Sequence, residues 1–145
     1  MTREVGEQRG RPILLSARVL STPEQNRAIG LDPVAWANEG LVDFLTVSHY
    51  LRNDFPLNLK PFRDAVPATM PLYASIEVEP DPETYRAIAR HLKSEGADGI
   101  SMFNFFTRRE GGKEPPFDVL PDLAEIMSGT TAHRGQADPN ERKSR

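Results

Sequence analysis

Two glutamates close a short apolar segment of the chain, SIEVEP, at residues 75–80. Glu77 and Glu79 are two positions apart, so on an extended strand their side chains point to the same face. Two such carboxylates repel each other, and carboxylates held at a strand end can act as nucleophiles or as general acids and bases. The alternatives are structural: Glu79 precedes Pro80 and would begin a solvated loop, and Glu77 would only form a salt bridge.

Polar side chains also occupy the second halves of three other apolar segments, at Arg18, Ser48, His49, Tyr50 and Asn104. Along most of these segments the polar positions keep one parity, which predicts that they face a common side. Arg18 is the expected partner of Glu77, because a nearby guanidinium lowers the pKa of a carboxyl group and can bind it through two hydrogen bonds.

The segments that carry these residues are strand-length apolar runs at 13–20, 41–50, 71–79 and 97–106. Helical patterns alternate with them. DPVAWANEG and DPETYRAIARHLKSEG each begin with an Asp cap and a Pro and end at a Gly, while 58–66 and 117–127 are weaker helix candidates. The alternation predicts an α/β fold with a parallel sheet and right-handed crossovers.

Polar residues at the carboxyl ends of parallel strands are typical of the rim of a (β/α)8 barrel, whereas doubly wound sheets have almost continuously apolar strands. The pattern therefore favours four parallel βα units that form half of such a barrel over residues 12–127, with a complete small α/β sheet as the alternative. Residues 1–11 and 128–145 lack apolar periodicity, so we expect a disordered arm and a disordered tail.

Three stretches, SARVL, IGLDPVAWANEGLVDFL and YRAIARHLKSEGADGISMFNF, resemble the carboxyl-terminal part of glycosyl-hydrolase-like (β/α)8 barrels of the type called glycosyl hydrolase-like 10. The similarity covers residues 12–127. It implies that the four strands are the fifth to eighth of a barrel, whose first four strands lie outside this chain. It also implies a carbohydrate-directed hydrolase, an O-glycosyl hydrolase of the retaining type.

In the retaining glycosidases to which this arrangement is similar, the nucleophilic glutamate ends strand seven and the acid/base glutamate ends strand four. The resemblance therefore implies that Glu77 is the catalytic nucleophile. Retention needs a second carboxyl about 5 to 5.5 Å away. Because strand four would lie outside this chain, we expect the chain alone to be inactive. The implied substrate-binding residues are Arg18, Ser48, His49, Tyr50, Glu79 and Asn104.

Composition narrows the classes of partner. The formal net charge of −3 does not predict the basic surface that binds nucleic acid or an anionic membrane. No apolar run approaches the roughly 18 residues of a membrane span. The chain has no cysteine, its three histidines lack ligand spacing, and it has no Walker loop or dinucleotide fingerprint, so we expect no metal and no cofactor. MTREVGEQRG is too polar for a secretory signal, which leaves a cytoplasmic location as a default only.

The acidic rim favours a neutral, hydroxyl-rich ligand such as a carbohydrate. The open edges of a half-barrel favour a homodimer or a complementary half-barrel as partner. Three functions stay open at this point. They are a barrel segment that binds or cleaves carbohydrate, a non-catalytic half-barrel that acts through self-association or a partner chain, and a complete small α/β domain with a regulatory or ligand-binding role.

Overall fold

The computed structural model describes residues 2–49, 56–77, 79, 81–107 and 112–129. Helices and strands alternate along the chain, and a 3₁₀ turn over Phe117–Val119 leads into the last helix. In chain order the elements are α1 (Thr2–Gln8), β1 (Ser16–Val19), α2 (Pro23–Ala28), α3 (Pro33–Asn38), β2 (Phe44–Val47), α4 (Lys60–Arg63), β3 (Leu72–Ile76), α5 (Pro82–Ser94), β4 (Gly99–Met102) and α6 (Leu120–Ser128).

The four strands form one parallel sheet in the order β1-β2-β3-β4. The predicted α/β fold with a parallel sheet is therefore confirmed. A doubly wound sheet reverses its strand order at a switch point, whereas this order runs in one direction. With right-handed crossovers, such an order places the connecting helices on one face of the sheet. The arrangement is compatible with half of a (β/α)8 barrel.

The core lies between that face and the helices. Fully buried sheet residues on this side are Leu45, Val47, Leu72, Ala74 and Ile76. Helix α5 meets them with one apolar stripe at i, i+3, i+4 and i+7. The stripe consists of Tyr85, Ile88, Ala89 and Leu92. Because successive strand residues alternate between faces, the polar parity of each strand is directed to the opposite face.

Three helices begin with a capping residue followed by proline. The side chains of Thr22, Asp32 and Asp81 accept hydrogen bonds from the backbone N–H three residues on, over 3.2, 3.0 and 2.9 Å. Each cap satisfies a backbone donor that a helix start leaves open, and the proline has no donor to lose. The two Asp-Pro starts, of α3 and α5, are as predicted. Helix α2 is absent from the predicted elements, although Thr22 and Pro23 repeat the same pattern.

The two weaker helix candidates are shorter than the segments predicted for them. Residues 58–66 contain only the single turn of α4, and residues 117–127 divide into the 3₁₀ turn and α6. Pro61 and Pro121 both lie in the first turn of their helices, where a proline is tolerated because its missing N–H has no helical partner. Pro121 therefore marks the start of α6 rather than a break within it.

The amino-terminal segment contains a helix, which differs from the disordered arm expected for residues 1–11. In α1, Nη2 of Arg3 donates to the carbonyl oxygen of Gly40 at 3.0 Å. Gly6 is buried against the following chain, where a Cβ would lie only 3.1 Å from the carbonyl oxygen of Arg11. Gly40 is distant from α1 in the sequence, so the polar composition of residues 1–11 did not reveal this contact. Of the tail predicted at 128–145, residues 130–145 lie outside the described residues.

Candidate functional site at the carboxyl end of the sheet

The face of the sheet opposite the core, which we call the inner face, carries the polar parity of the strands. Strand register places Arg18 beside Thr46, Thr46 beside Tyr73 and Tyr73 beside Gly99. Ser75 has the same parity as Tyr73 in β3 and is also buried, at 3% exposure. The predicted common side of these polar residues is thus confirmed for the first three strands.

Arg18 is the centre of a cluster on the inner face. Its Nη2 donates to Oε1 of Glu77 at 2.8 Å, and its Nε donates to Oγ of Ser48 at 3.0 Å. The guanidinium carbon lies 3.7 Å from the centroid of the Phe103 ring, within the range of a cation–π interaction. The expected Arg18–Glu77 pair is confirmed, although Arg18 divides its donors between Glu77 and Ser48. The Glu77 side chain is only 12% exposed.

Each member of the cluster stands where a strand ends. Ser48, Glu77 and Phe103 directly follow β2, β3 and β4, and Arg18 is the penultimate residue of β1. The carboxyl ends of parallel strands meet at one edge of a sheet, which is also where α/β proteins place their ligands. The cluster is therefore assembled by four separate strand ends rather than by one local motif.

Two side chains fix the carboxyl end of β1. The hydroxyl of Ser48 donates to the carbonyl oxygen of Val19 at 3.3 Å while its oxygen accepts from Arg18. Asn26 of α2 is fully buried and accepts from the N–H of Leu20 at 3.1 Å. Its amide nitrogen donates to the carbonyl oxygens of Leu20 and Thr22, at 3.1 and 2.7 Å. These bonds hold the chain that follows Arg18.

Glu79 is buried, with 8% of the residue exposed, so its interpretation as the start of a solvated loop is wrong. Its backbone N–H donates at 2.9 Å to the hydroxyl of Tyr85, a fully buried residue of α5. Oε1 of Glu79 has no hydrogen-bond partner among the described residues. Burial, followed by the charges of Asp81 and Glu77, raises the pKa of Glu79. A proton is therefore held more tightly on Glu79 than on an exposed carboxyl group.

The other predicted substrate-binding residues are less closely tied to the cluster. His49 follows Ser48 and is half-buried, and Tyr50 lies outside the described residues. Asn104 is exposed and has a φ of 55°, in the left-handed region. Its carbonyl oxygen accepts from the N–H and the hydroxyl of Thr107, at 3.1 and 2.6 Å. Asn104 thus forms a turn after β4, a role that asparagine tolerates well.

Two aromatic rings cover the inner face on the amino-terminal side of the cluster. Phe44 and Tyr73 have centroids 5.2 Å apart and meet edge to face at 62°. The Tyr73 ring lies against Gly99 so closely that a Cβ built there would overlap its Cδ1 and Cε1 atoms. A glycine within a strand often marks such a close approach. These rings and Phe103 were not predicted as site residues, although all three share the parity of the polar set.

The cluster combines a charged hydrogen-bond acceptor, a guanidinium, hydroxyl groups and aromatic faces. Carboxylates accept hydrogen bonds from hydroxyl groups, and aromatic rings offer an apolar surface beside them. Within the described ranges, no group of three His, Asp or Glu side chains is placed to hold a metal ion. None of the helices in the described part of the chain is long and apolar enough to cross a bilayer.

No protein-family model matches the sequence. A search of curated proteins finds no significant match. The resemblance to glycosyl-hydrolase-like barrels therefore stays a prediction.

Proposed function

We propose that this chain provides the carboxylate-bearing part of a carbohydrate site in a (β/α)8-type barrel. The observation that carries the proposal is the Arg18–Glu77 pair. It joins a 12% exposed carboxylate at a strand's carboxyl end to a guanidinium that rests on an aromatic ring. A partly desolvated carboxylate in a fixed orientation is suited to bind ligand hydroxyls and to act as a nucleophile.

Each residue of the cluster has a distinct part in this proposal. Glu77 accepts hydrogen bonds from the sugar and, in a complete barrel, attacks the anomeric carbon to form a glycosyl–enzyme bond. The leaving oxygen takes a proton from a second carboxyl group, and water then releases the sugar. Arg18 orients Glu77 and is itself oriented by Ser48 and Phe103, at 3.0 and 3.7 Å. Arg18 is a positioning residue.

Charge around the cluster favours a neutral ligand. Glu79 and Asp81 follow Glu77 closely in the chain. The negative charges of Asp81 and Glu77 help to raise the pKa of Glu79, as expected where carboxyl groups crowd one end of the sheet. Anionic ligands such as phosphates would be repelled there. Neutral sugars lack this penalty, so the substrate class that the site fits is an uncharged carbohydrate.

Isothermal titration with neutral mono- and oligosaccharides tests the proposal. Loss of a hydrogen bond to a charged group costs about 1.5 to 3 kcal/mol, so Glu77→Gln is expected to weaken binding at least about tenfold. Glu24→Gln is the matched control, because Glu24 is an exposed carboxylate of α2 with a 72% exposed side chain. Thermal unfolding of each variant verifies the fold. Absence of any sugar binding by the wild type, or equal affinities of wild type and Glu77→Gln, would refute the proposal.

A second candidate function is a non-catalytic half-barrel that acts through self-association or a partner chain. Exposed leucines at the free edge of the sheet favour it. Leu14 and Leu15, which directly precede β1, are 62% and 45% exposed. The two candidates are compatible, since a site at the carboxyl end of the sheet would be completed by whatever chain pairs with its edges.

A further inference from the structure

The two end strands of the sheet, β1 and β4, run in the same direction, and each has one free edge. β1 pairs only with β2, and β4 pairs only with β3, among the strands of the described residues. Edge strands present unpaired N–H and C=O groups that favour pairing with another strand. Because all four strands are parallel, a β1 edge placed against a β4 edge continues the same parallel sheet.

An apolar groove of about 230 Å³ runs beside the free edge of β4. Its floor is the core-side surface of β4, and one wall is α6. The lining residues are Ile100, Met102, Leu120, Leu123, Ala124 and Met127. A strand added beside β4 would direct the side chains of its core-side parity into this groove. Leu15 has that parity in the β1 segment, because it shares the face of Ala17 and Val19.

The register of the sheet indicates the direction in which a further strand would be displaced. Val19, the last residue of β1, is in register with Val47, the last residue of β2. Val47 pairs with Ala74, which stands two residues before the end of β3, and Ala74 pairs with Ile100, two residues before the end of β4. The register thus moves toward the amino ends across the sheet, as the stagger of a barrel requires.

An eight-stranded barrel of this class has a shear of eight, so two identical halves contribute about four residues each. With this shear, Ile100 would pair with residue 15 of the added strand, four residues before Val19. Leu15 would then enter the groove beside α6. Leu14 would lie on the inner face beside Gly99, and Ser16 would lie beside Ser101. A shift of four also preserves parity, so inner-face residues meet inner-face residues.

We propose that two copies of this chain close into one eight-stranded parallel barrel. The β4 strand of each copy pairs with the β1 strand of the other, and the two contacts are related by a twofold axis. Closure satisfies both edges of both copies and buries Leu14 and Leu15, which the single chain leaves exposed. It also places two Arg18–Glu77 pairs at one mouth. The inference concerns assembly and does not depend on the identity of any ligand.

A cysteine pair tests the closure directly, because the chain contains no cysteine. In the double variant Ser16→Cys/Ser101→Cys, the two positions of one chain are separated by three strand spacings, about 14 Å. This exceeds the Cα separation of about 4.4 to 6.8 Å that a disulfide allows, whereas neighbouring strands satisfy it. Oxidation is therefore expected to give a covalent dimer of twice the 16.2 kDa chain mass, with both thiols consumed and a 16–101 cross-linked peptide in mass spectrometry.

The single variants Ser16→Cys and Ser101→Cys are the controls and are expected to remain uncross-linked, because the twofold axis keeps identical positions apart. A ladder of higher oligomers from the double variant would show open head-to-tail polymers and overturn the closed barrel. A double variant that stays monomeric with free thiols, or single variants that cross-link as readily, would overturn it as well.

Sedimentation of the unmodified chain provides an independent test. Leu14→Glu places a charge in the proposed seam and is expected to weaken dimerisation at least about 100-fold. Ile29→Glu is the matched control, since Ile29 is 61% exposed in the loop after α2 and Leu14 is 62% exposed. The Ile29 variant is expected to dimerise like the wild type. A monomeric wild type at micromolar concentration, or equal weakening by both substitutions, contradicts the proposal.

Discussion

Because Tyr73 lies against Gly99, we expect Gly99→Ala to lower the free energy of unfolding, whereas Gly→Ala ordinarily raises it at a position of this kind. Gly99 has no positive φ, unlike six other glycines among the described residues. At such a position, Gly→Ala ordinarily stabilises a protein by about 0.4 to 1 kcal/mol, because it restricts the unfolded chain. Here the new Cβ would overlap the Tyr73 ring, so the ring must leave the strand surface.

The cost can be worked from what Tyr73 would lose. Displacement of the ring breaks its edge-to-face contact with Phe44, which has a centroid distance of 5.2 Å and a typical value of about 0.5 to 1.5 kcal/mol. Exposing on the order of 50 Å² of ring surface at about 25 cal/mol per Å² adds roughly 1.3 kcal/mol. After the unfolded-chain gain is subtracted, Gly99→Ala is expected to destabilise the fold by about 1 to 2 kcal/mol.

Urea unfolding, followed by the fluorescence of the single tryptophan, Trp36, measures this free energy by linear extrapolation. All variants are compared at one protein concentration, because association would shift apparent stability. In a Tyr73→Ala background the same Gly99→Ala substitution is expected to be neutral or stabilising, which gives a coupling of about 2 kcal/mol in a double-mutant cycle. Ser101→Ala, on the same face of β4, is the control. A stabilising Gly99→Ala in the wild type, or an equal cost in both backgrounds, would refute the reasoning.

Three further predictions concern the site and its supports. The pKa of Glu79 is raised above its ordinary value of 4.5, so the folded protein binds a proton on this carboxyl group more tightly than the unfolded chain does. The protonated carboxyl therefore contributes its full share of folding stability below pH 4.5, and that share is lost as pH rises through the raised pKa. Glu79→Gln is therefore expected to be more stable than the wild type at pH 7, and urea unfolding should show this difference disappear toward pH 4. Asn26→Ala leaves backbone groups of Leu20 without partners and is expected to cost about 2 to 4 kcal/mol, against less than about 1 kcal/mol for the exposed Asn38→Ala; equal costs would contradict the role given to Asn26. The isolated chain is expected to hydrolyse no chromogenic glycoside at a useful rate. The acid/base glutamate that the resemblance implies would lie on strand four, outside this chain, and general acid catalysis contributes about 10² to 10⁴-fold. Turnover that Glu77→Gln abolishes would show that the chain already holds its acid.

The order of elements and the main pairing of the site could be predicted from the sequence because both depend on local periodicity. Asp-Pro starts at Asp32 and Asp81 identify helix starts through a cap that is made within four residues. The two-residue period of a strand fixes which side chains share a face, so a parallel sheet brings Arg18 and Glu77 to the same face and the same end. Strand order and pairing then followed from the alternation of elements.

Other features were decided only by the tertiary structure. Glu79 has the local sequence of a loop residue, yet the Tyr85 hydroxyl, six residues away on α5, binds its backbone within a buried environment. Phe103 supports Arg18 although the two are separated by most of the chain. Asn26 is a polar residue of a surface-type helix pattern, yet it is fully buried and its amide nitrogen donates to the carbonyl oxygens of Leu20 and Thr22, between β1 and α2. Local propensity acts over a few residues, whereas burial and the pKa of a carboxyl group depend on atoms that only the folded chain brings near.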